Sequence, residues 1–267
     1  MAQYHRLKGE LPKDTLLFFR LGDFYELFFD DANKGADILN ITLTKRGSTP
    51  MCGIPFHAAN NYIGKLLQAG CKVALCEQTE EAVPGKLVNR EVKQILSPGT
   101  HFEEQILNAN RNNYLAAICR NKDTYGLALI DLTTGDFKVT ETASIADLGS
   151  ELDRLKPTEI VVPSGIYQIT EELKKDGVVV NEHEDWVFAG DSATYTLQDH
   201  FCVKSLDGFG LKDRNTAIGA AGGALHYLVN TLRRDVTHLR PIKFYQKTDF
   251  LKIDGTSLRN LEILDSS

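Results

Sequence analysis

Leu16-Leu-Phe-Phe-Arg-Leu-Gly-Asp-Phe-Tyr-Glu-Leu-Phe-Phe-Asp-Asp-Ala32 is the stretch on which the reading of this chain turns. Residues 16–21 form a largely apolar run closed by Gly22, the pattern of a buried strand. From residue 23 the apolar residues recur at helical spacing as far as Leu39, which predicts a helix over 23–39. With Phe24 at the origin of a helical wheel, Tyr25, Phe28, Phe29, Ala32, Ala36 and Leu39 fall within about 40–140°, and Glu26 lies off the far side at about 200°. Phe24 sits at one edge of that stripe. Two readings follow. A ring and a carboxylate outside the buried stripe at a helix start can be presented to a partner. Alternatively, Asp23 is an N-cap with Glu26 completing a capping box, and Phe24 packs on a neighbouring loop.

Outward from this stretch, strands are expected at 16–21, 41–45, 72–78 and 91–96, with helices over 23–39 and 58–68. Gly70 follows the second helix as a C-terminal stop. This describes a small α/β domain around a mixed sheet. Residues 79–86, with Pro84-Gly85, read as a surface loop. The polar, Asn-rich stretch 101–113 marks a boundary. Three strands then follow closely (114–120, 124–132, 136–142), the last two joined by Thr133-Thr134-Gly135. Helix 145–155, strand 159–163, helix 167–174 and strand 178–180 come next. Three antiparallel strands followed by alternating helix and strand suggest a ribonuclease-H-like sheet. Residues 217–232 read as a long helix whose Gly219, Gly222 and Gly223 imply close packing against another backbone. The final stretch contains a helical fragment, 257–264, with little after it to pack against, and reads as the start of a truncated further domain.

Composition narrows the function classes. The chain has 267 residues, 42% hydrophobic and 25% charged, the profile of a soluble globular protein. No apolar run approaches the length of a membrane span, and the N-terminus lacks the apolar core of a secretory signal. Five cysteines without CxxC spacing fit a reducing cytoplasm rather than a disulfide framework or a structural zinc site. The net charge of −6 argues against a strong autonomous DNA binder. The acidic excess lies entirely beyond residue 100, however: residues 1–100 carry 12 Lys and Arg against 11 Asp and Glu. Lys45 and Arg46 form a local basic turn within that first part.

Several blocks carry a resemblance. Arg20 through Ala32 resembles the mismatch-recognition motif of the MutS family of DNA mismatch repair proteins. Ile41-Thr-Leu-Thr-Lys-Arg-Gly47 is similar to the family's next strand, Met51-Cys-Gly-Ile-Pro-Phe-His-Ala58 to the following loop, and Val73-Ala-Leu-Cys-Glu-Gln78 to a later strand. Ser97-Pro-Gly-Thr100 resembles the close of the first domain, Leu129-Ile-Asp-Leu-Thr-Thr-Gly-Asp-Phe137 the opening hairpin of the connector domain, and Arg259-Asn-Leu-Glu-Ile263 the start of the core domain. The resemblance implies a mismatch-recognition domain over 1–108, a ribonuclease-H-like connector over 109–247 and the beginning of the core over 248–267. It implies Phe24 and Glu26 as the mismatch-binding pair and Lys45 and Arg46 as candidate contacts to the DNA backbone. The partners it implies are mismatched duplex DNA, a MutL-like protein and, for the full-length protein, a second copy. ATP and Mg are implied for the full-length protein, and the cytoplasm as its location.

The chemistry of such a reader is simple. A mispaired step stacks weakly, so an aromatic side chain can enter from the minor groove and kink the duplex. Unstacking costs a few kcal/mol, least at a mismatch, and stacking on the ring returns about 1–3 kcal/mol. Glu26, two residues on, would reach the same base, and against paired DNA its charge adds a penalty. An enzymatic reading competes. Asp131 stands where the first nuclease carboxylate of a ribonuclease-H-like fold would be, with Asp136 across the turn, but the later strands centre on Val and Ile, which favours Asp131 as a turn or edge residue. The phosphate-loop pattern GxxxxGK[ST] does not occur in the sequence, so no ATP hydrolysis is expected from this chain, and no cofactor or catalytic residue is assigned to it. The alternative function is a docking chain that contacts a MutL-like partner with little DNA affinity of its own.

Overall fold

A computed structural model describes residues 1–12, 14–79, 88–100, 112–165 and 178–246. The expected helices at 167–174 and 257–264, most of the loop at 79–86 and of the boundary at 101–113, and the stretch 248–267 lie outside the described residues. Two compact units result. The described residues of Met1–Asn113 make the first, joined by 178–179 and Tyr227–Val236 from far along the chain.

The first unit is built on a six-stranded mixed sheet in the order β3-β4-β2-β1-β5-β6. Its strands are β1 (Thr15–Leu21), β2 (Phe24–Phe28), β3 (Thr44–Arg46), β4 (Thr49–Pro55), β5 (Lys72–Gln78) and β6 (Arg90–Leu96). β1 runs antiparallel to β2 and parallel to β5. The helix expected from residue 23 is corrected here. Phe24–Phe28 is a strand, and helix α2 spans only Phe29–Leu39. Over five residues the apolar pattern satisfies a period of two as well as 3.6. Hydrogen bonding to β1 on one side and β4 on the other decides for the strand. The capping box therefore does not exist: Glu26 is in mid-strand, and the residue preceding α2 is Phe28.

Tyr25 and Leu27 point to one face of this sheet, where they join Leu16, Phe18, Cys52, Ile54 and Val73. Helices α2 and α3 (Ala59–Gln68) close that face with Ala32, Ala36, Leu39, Ile63 and Leu66. Gly35 of α2 lies so near the sheet that a Cβ there would come within 2.8 Å of Leu27. β3 begins later than expected because Asn40, at φ 52°, ends α2 and the Ile41 N–H bonds back to the Ala36 carbonyl at 3.1 Å. β4 occupies most of the stretch read as a loop at 51–58.

Helix α1 (Ala2–Gly9) was not expected from the sequence. It is tied down by buried Asp31, whose carboxylate accepts from Tyr4 Oη at 3.0 Å, Lys8 Nζ at 2.7 Å and the Leu17 N–H at 2.9 Å. The returning segment Tyr227–Val236 runs along β6. The Leu232 carbonyl accepts from the Ile95 N–H at 2.9 Å, and Arg233 donates to the Val92 carbonyl at 2.9 Å.

The second unit holds a sheet in the order β11-β10-β7-β8-β9-β12. Its strands are β7 (Leu115–Asn121), β8 (Thr124–Asp131), β9 (Asp136–Thr142), β10 (Glu159–Pro163), β11 (Val179–His183) and β12 (Lys243–Phe244). β7, β8 and β9 form an antiparallel meander and β10 lies parallel to β7, which is the expected ribonuclease-H-like arrangement. Helix α4 (Ile145–Leu155) is N-capped by Ser144, whose Oγ accepts from the Asp147 N–H at 3.1 Å. Helix α5 (Gly190–Phe201) was not expected, and helix α6 (Asn215–His226) is shorter than the predicted 217–232. After His226 the backbone widens into a π turn over Tyr227–Thr231.

Candidate nucleic-acid interface

Two tight hairpins, at opposite ends of the first sheet, position the residues singled out from the sequence. Leu21 pairs with Phe24 across the two-residue turn Gly22-Asp23, and Arg46 pairs with Thr49 across Gly47-Ser48. In each turn the first central residue is a glycine in the left-handed region, at φ 58° for Gly22 and 65° for Gly47, while the second is not. That is the II′ geometry, in which glycine is required at the first position.

Phe24 leaves its turn with 49% of its surface exposed, and its partner on β4 is Pro55. Successive strand residues alternate faces, so Glu26 shares Phe24's face about 7 Å further along. Both are turned away from the α2/α3 core. Glu26 is flanked by Phe19 on β1 and Gly53 on β4. Gly53 brings no side chain to this face, which leaves the space beside Glu26 open to a side chain from beyond β4. A Cβ on Gly53 would stand 3.7 Å from Glu26 Cγ.

Arg46, at the end of edge strand β3, reaches diagonally across the same face. Its Nη1 lies 3.0 Å from Glu26 Oε2, with side-chain exposures of 58% for Arg46 and 18% for Glu26. Lys45, one residue earlier, points to the opposite face and is exposed. The structure thus puts Phe24, Glu26 and Arg46 on one face, with Arg46 in contact with Glu26, and leaves Lys45 on the opposite face at the rim of the sheet.

Two further residues, at the end of the sheet that carries Phe24, were not singled out from the sequence. Phe56 directly follows β4, is 45% exposed, and donates its N–H to the Asp23 carbonyl at 2.8 Å. The Arg20 guanidinium stacks over the Phe56 ring at 3.3 Å from the centroid, with the Tyr25 ring 5.6 Å from that of Phe56. Tyr25 Oη donates to the Glu77 carboxylate, and burial, reinforced by that carboxylate, holds the phenol well above its ordinary range. Pro55-Phe56-His57, an aromatic beside a proline in an otherwise apolar loop, was the only signal available.

The alternative chemistry finds a different geometry. Buried Asp131 closes the β8–β9 turn, accepting from the Thr133 and Thr134 N–H groups at 2.8 and 3.4 Å. Asp136 pairs with Lys138 Nζ and accepts from Tyr114 Oη at 3.1 Å. Both carboxylates are thus occupied within the hairpin, as a turn residue's would be. Among the described residues no group of three or more His, Cys, Asp or Glu is arranged to hold a metal ion. Burial pushes the thiols of Cys52 and Cys119 up to about 11 and that of Cys76 up to about 12, so they remain protonated. No helix among the described residues is long and apolar enough to cross a membrane.

The family model of MutS domain I matches residues 1–105, and that of MutS domain II matches residues 113–240. The DNA mismatch repair protein MutS of Solibacter usitatus is 42% identical over 273 residues, which cover 99% of this chain and 31% of that protein. The protein of the same name from Salinibacter ruber is 41% identical over 278 residues, covering 100% of this chain and 30% of its own length. That of Lachnoclostridium phytofermentans is 42% identical, again covering all of this chain and 30% of the relative. The chain spans about a third of the length of these relatives. With both family models matched in order along it, the chain belongs to the MutS family.

Proposed function

We propose that this chain reads mispaired or unpaired bases in duplex DNA at the initiation of mismatch repair, with Phe24 as the wedge and Glu26 as the group that bonds the displaced base. The observation that carries this is a half-exposed phenylalanine at the tip of a tight hairpin, with a partly exposed carboxylate two residues on along the same face of the sheet. The ring needs no desolvation of polar atoms to enter a base step. A rigid two-residue turn holds it out at little entropic cost. Arg46, and Lys45 from the rim, are the candidate phosphate contacts. The name of the relatives, DNA mismatch repair protein, supports the same reading. ATP with Mg, dimerisation and the cytoplasmic setting belong in this proposal to the complete protein. The described residues of this chain carry the reading and no catalysis.

A second reading, docking of a MutL-like partner with little DNA affinity in this chain, draws on the second unit. Trp186 and Tyr195 expose 55% and 71% of their surface there. Titration of mismatched and matched duplexes at one stated salt concentration separates the two. Phe24→Ala in the complete protein is expected to reduce the mismatched-to-matched affinity ratio to near one. Its unfolding free energy should change by less than about 1 kcal/mol, against the about 3–5 kcal/mol lost when a core Phe is truncated. A retained ratio, or a core-sized loss of stability, refutes the wedge.

A further inference from the structure

The ion pair between Arg46 and Glu26 has a consequence for discrimination that rests on the reading above. Both groups have a role toward DNA, yet they occupy one another, at 3.0 Å, on the face that the duplex would meet. Their mobilities differ. Arg46 is at the tip of a three-residue edge strand, beside a glycine turn, and 58% of its side chain is exposed. Glu26 is mid-strand, in a strand paired on both of its edges, with 18% of its side chain exposed. When the pair opens, the guanidinium moves and the carboxylate stays.

We propose that Arg46 is a mismatch-gated phosphate contact, held on Glu26 until a base takes the carboxylate. Against a matched duplex the bases are paired and give Glu26 no new partner. Releasing Arg46 would leave a bare carboxylate among phosphates, so Arg46 remains on Glu26 and one phosphate contact is forfeited. Against a mismatch, the displaced base bonds Glu26. The guanidinium is then free for a backbone phosphate, whose oxygens match its forked donors. Arg46 thereby adds affinity to the mismatched complex alone and is a specificity-determining residue, although it touches no base. Gly53 permits the arrangement, because any side chain at that position would stand between β2 and β3 on the shared face.

The gate is read by salt dependence. Each phosphate contact adds about 0.9 to the slope of log affinity against log salt. In the complete protein, the slope for a mismatched duplex is expected to exceed that for the matched duplex. Arg46→Leu should lower the mismatched slope by about 0.9 and the matched slope by clearly less, since there it removes no phosphate contact and only bares Glu26. Glu26→Gln, which cannot hold Arg46 as an ion pair, should raise the matched slope by the same amount and raise matched affinity with it. Arg46→Lys, which keeps the charge on a partly exposed edge, guards against a folding artefact and should retain most of the mismatched slope. Equal loss from both slopes in Arg46→Leu makes Arg46 an ungated phosphate contact and overturns the proposal, as does loss from neither. If Glu26→Gln leaves the mismatched-to-matched ratio unaltered, the reading role of Glu26 itself is wrong. If that ratio falls while Arg46→Leu acts on both duplexes alike, only the gate is wrong.

Discussion

Glu26 stands in a strand, with Arg46 rather than a helix N-terminus as its partner, and this changes what its removal does. A capping carboxylate replaced by Ala costs up to about 1 kcal/mol of helix stability. A partly exposed ion pair is worth about 0.2–1 kcal/mol and fades with salt. Glu26→Ala should therefore shift the unfolding midpoint slightly at low salt and negligibly at high salt. A loss that persists undiminished in high salt would mean that the carboxylate has a structural partner other than Arg46. A second titratable site lies in the other unit. His183 Nε2 and His226 Nδ1 are 2.9 Å apart, and burial lowers the His226 pKa below its usual 6.5, opposed by the charge of Glu184. A depressed histidine pKa means that the unfolded chain binds the proton more readily. The contribution of His226 is thus complete above about pH 6.5 and lost as pH falls through the lowered value. Melting curves should show a smaller drop in midpoint between pH 7.5 and pH 5.5 for His226→Gln than for the parent.

β2 and α6 show the same sequence signals decided by neighbours. Residues 24–28 satisfy both helical and strand periodicity, and strand pairing on two edges settles them. In α6, every residue from Thr216 to Leu225 is buried, glycines included. Gly222 lies against the backbone of α5: a Cβ there would come within 2.5 Å of the Ala193 Cα. Gly223 meets the Phe188 ring, with a Cβ at 2.2 Å from Cε1. Ala should raise intrinsic helix propensity at either position by about 1 kcal/mol. The clash with a backbone that cannot give way is the larger effect. Gly222→Ala is expected to destabilise the second unit by about 1–3 kcal/mol, the range for overpacking. Chemical denaturation that shows a gain instead would place α5 further from α6 than it is here.

The first unit is discontinuous in sequence, since Tyr227–Val236 completes it along β6. This covers the edge that β6 would otherwise expose. Leu232 is fully buried there, and its carbonyl takes the Ile95 N–H. Truncating a buried Leu costs about 2–5 kcal/mol. Leu232→Ala should accordingly weaken the sheet that carries Phe24, although it is more than two hundred residues from it in sequence. Amide hydrogen exchange would detect this as lost protection at β1, β5 and β6 while β7–β9 keep theirs. Uniform loss in both sheets would make the segment part of the second unit instead.

By itself the sequence determined the two α/β units, the antiparallel β7–β9 meander and the limits of α4 and β5, and it singled out Phe24 and Glu26, the pair on which the proposed interface rests. These are matters of local pattern: period, turn residues and ordered motifs. The tertiary structure alone decided that Phe24 and Glu26 ride on a strand, because over five residues both periods fit and only hydrogen-bonding partners distant in sequence choose between them. It alone joined Glu26 to Arg46, twenty residues away on a non-adjacent strand, and stacked Arg20 on Phe56. It also assigned Tyr227–Val236 to the first sheet. Such pairings depend on sheet order and register, which are set by the summed burial of the whole core and leave no periodic trace in the residues they connect.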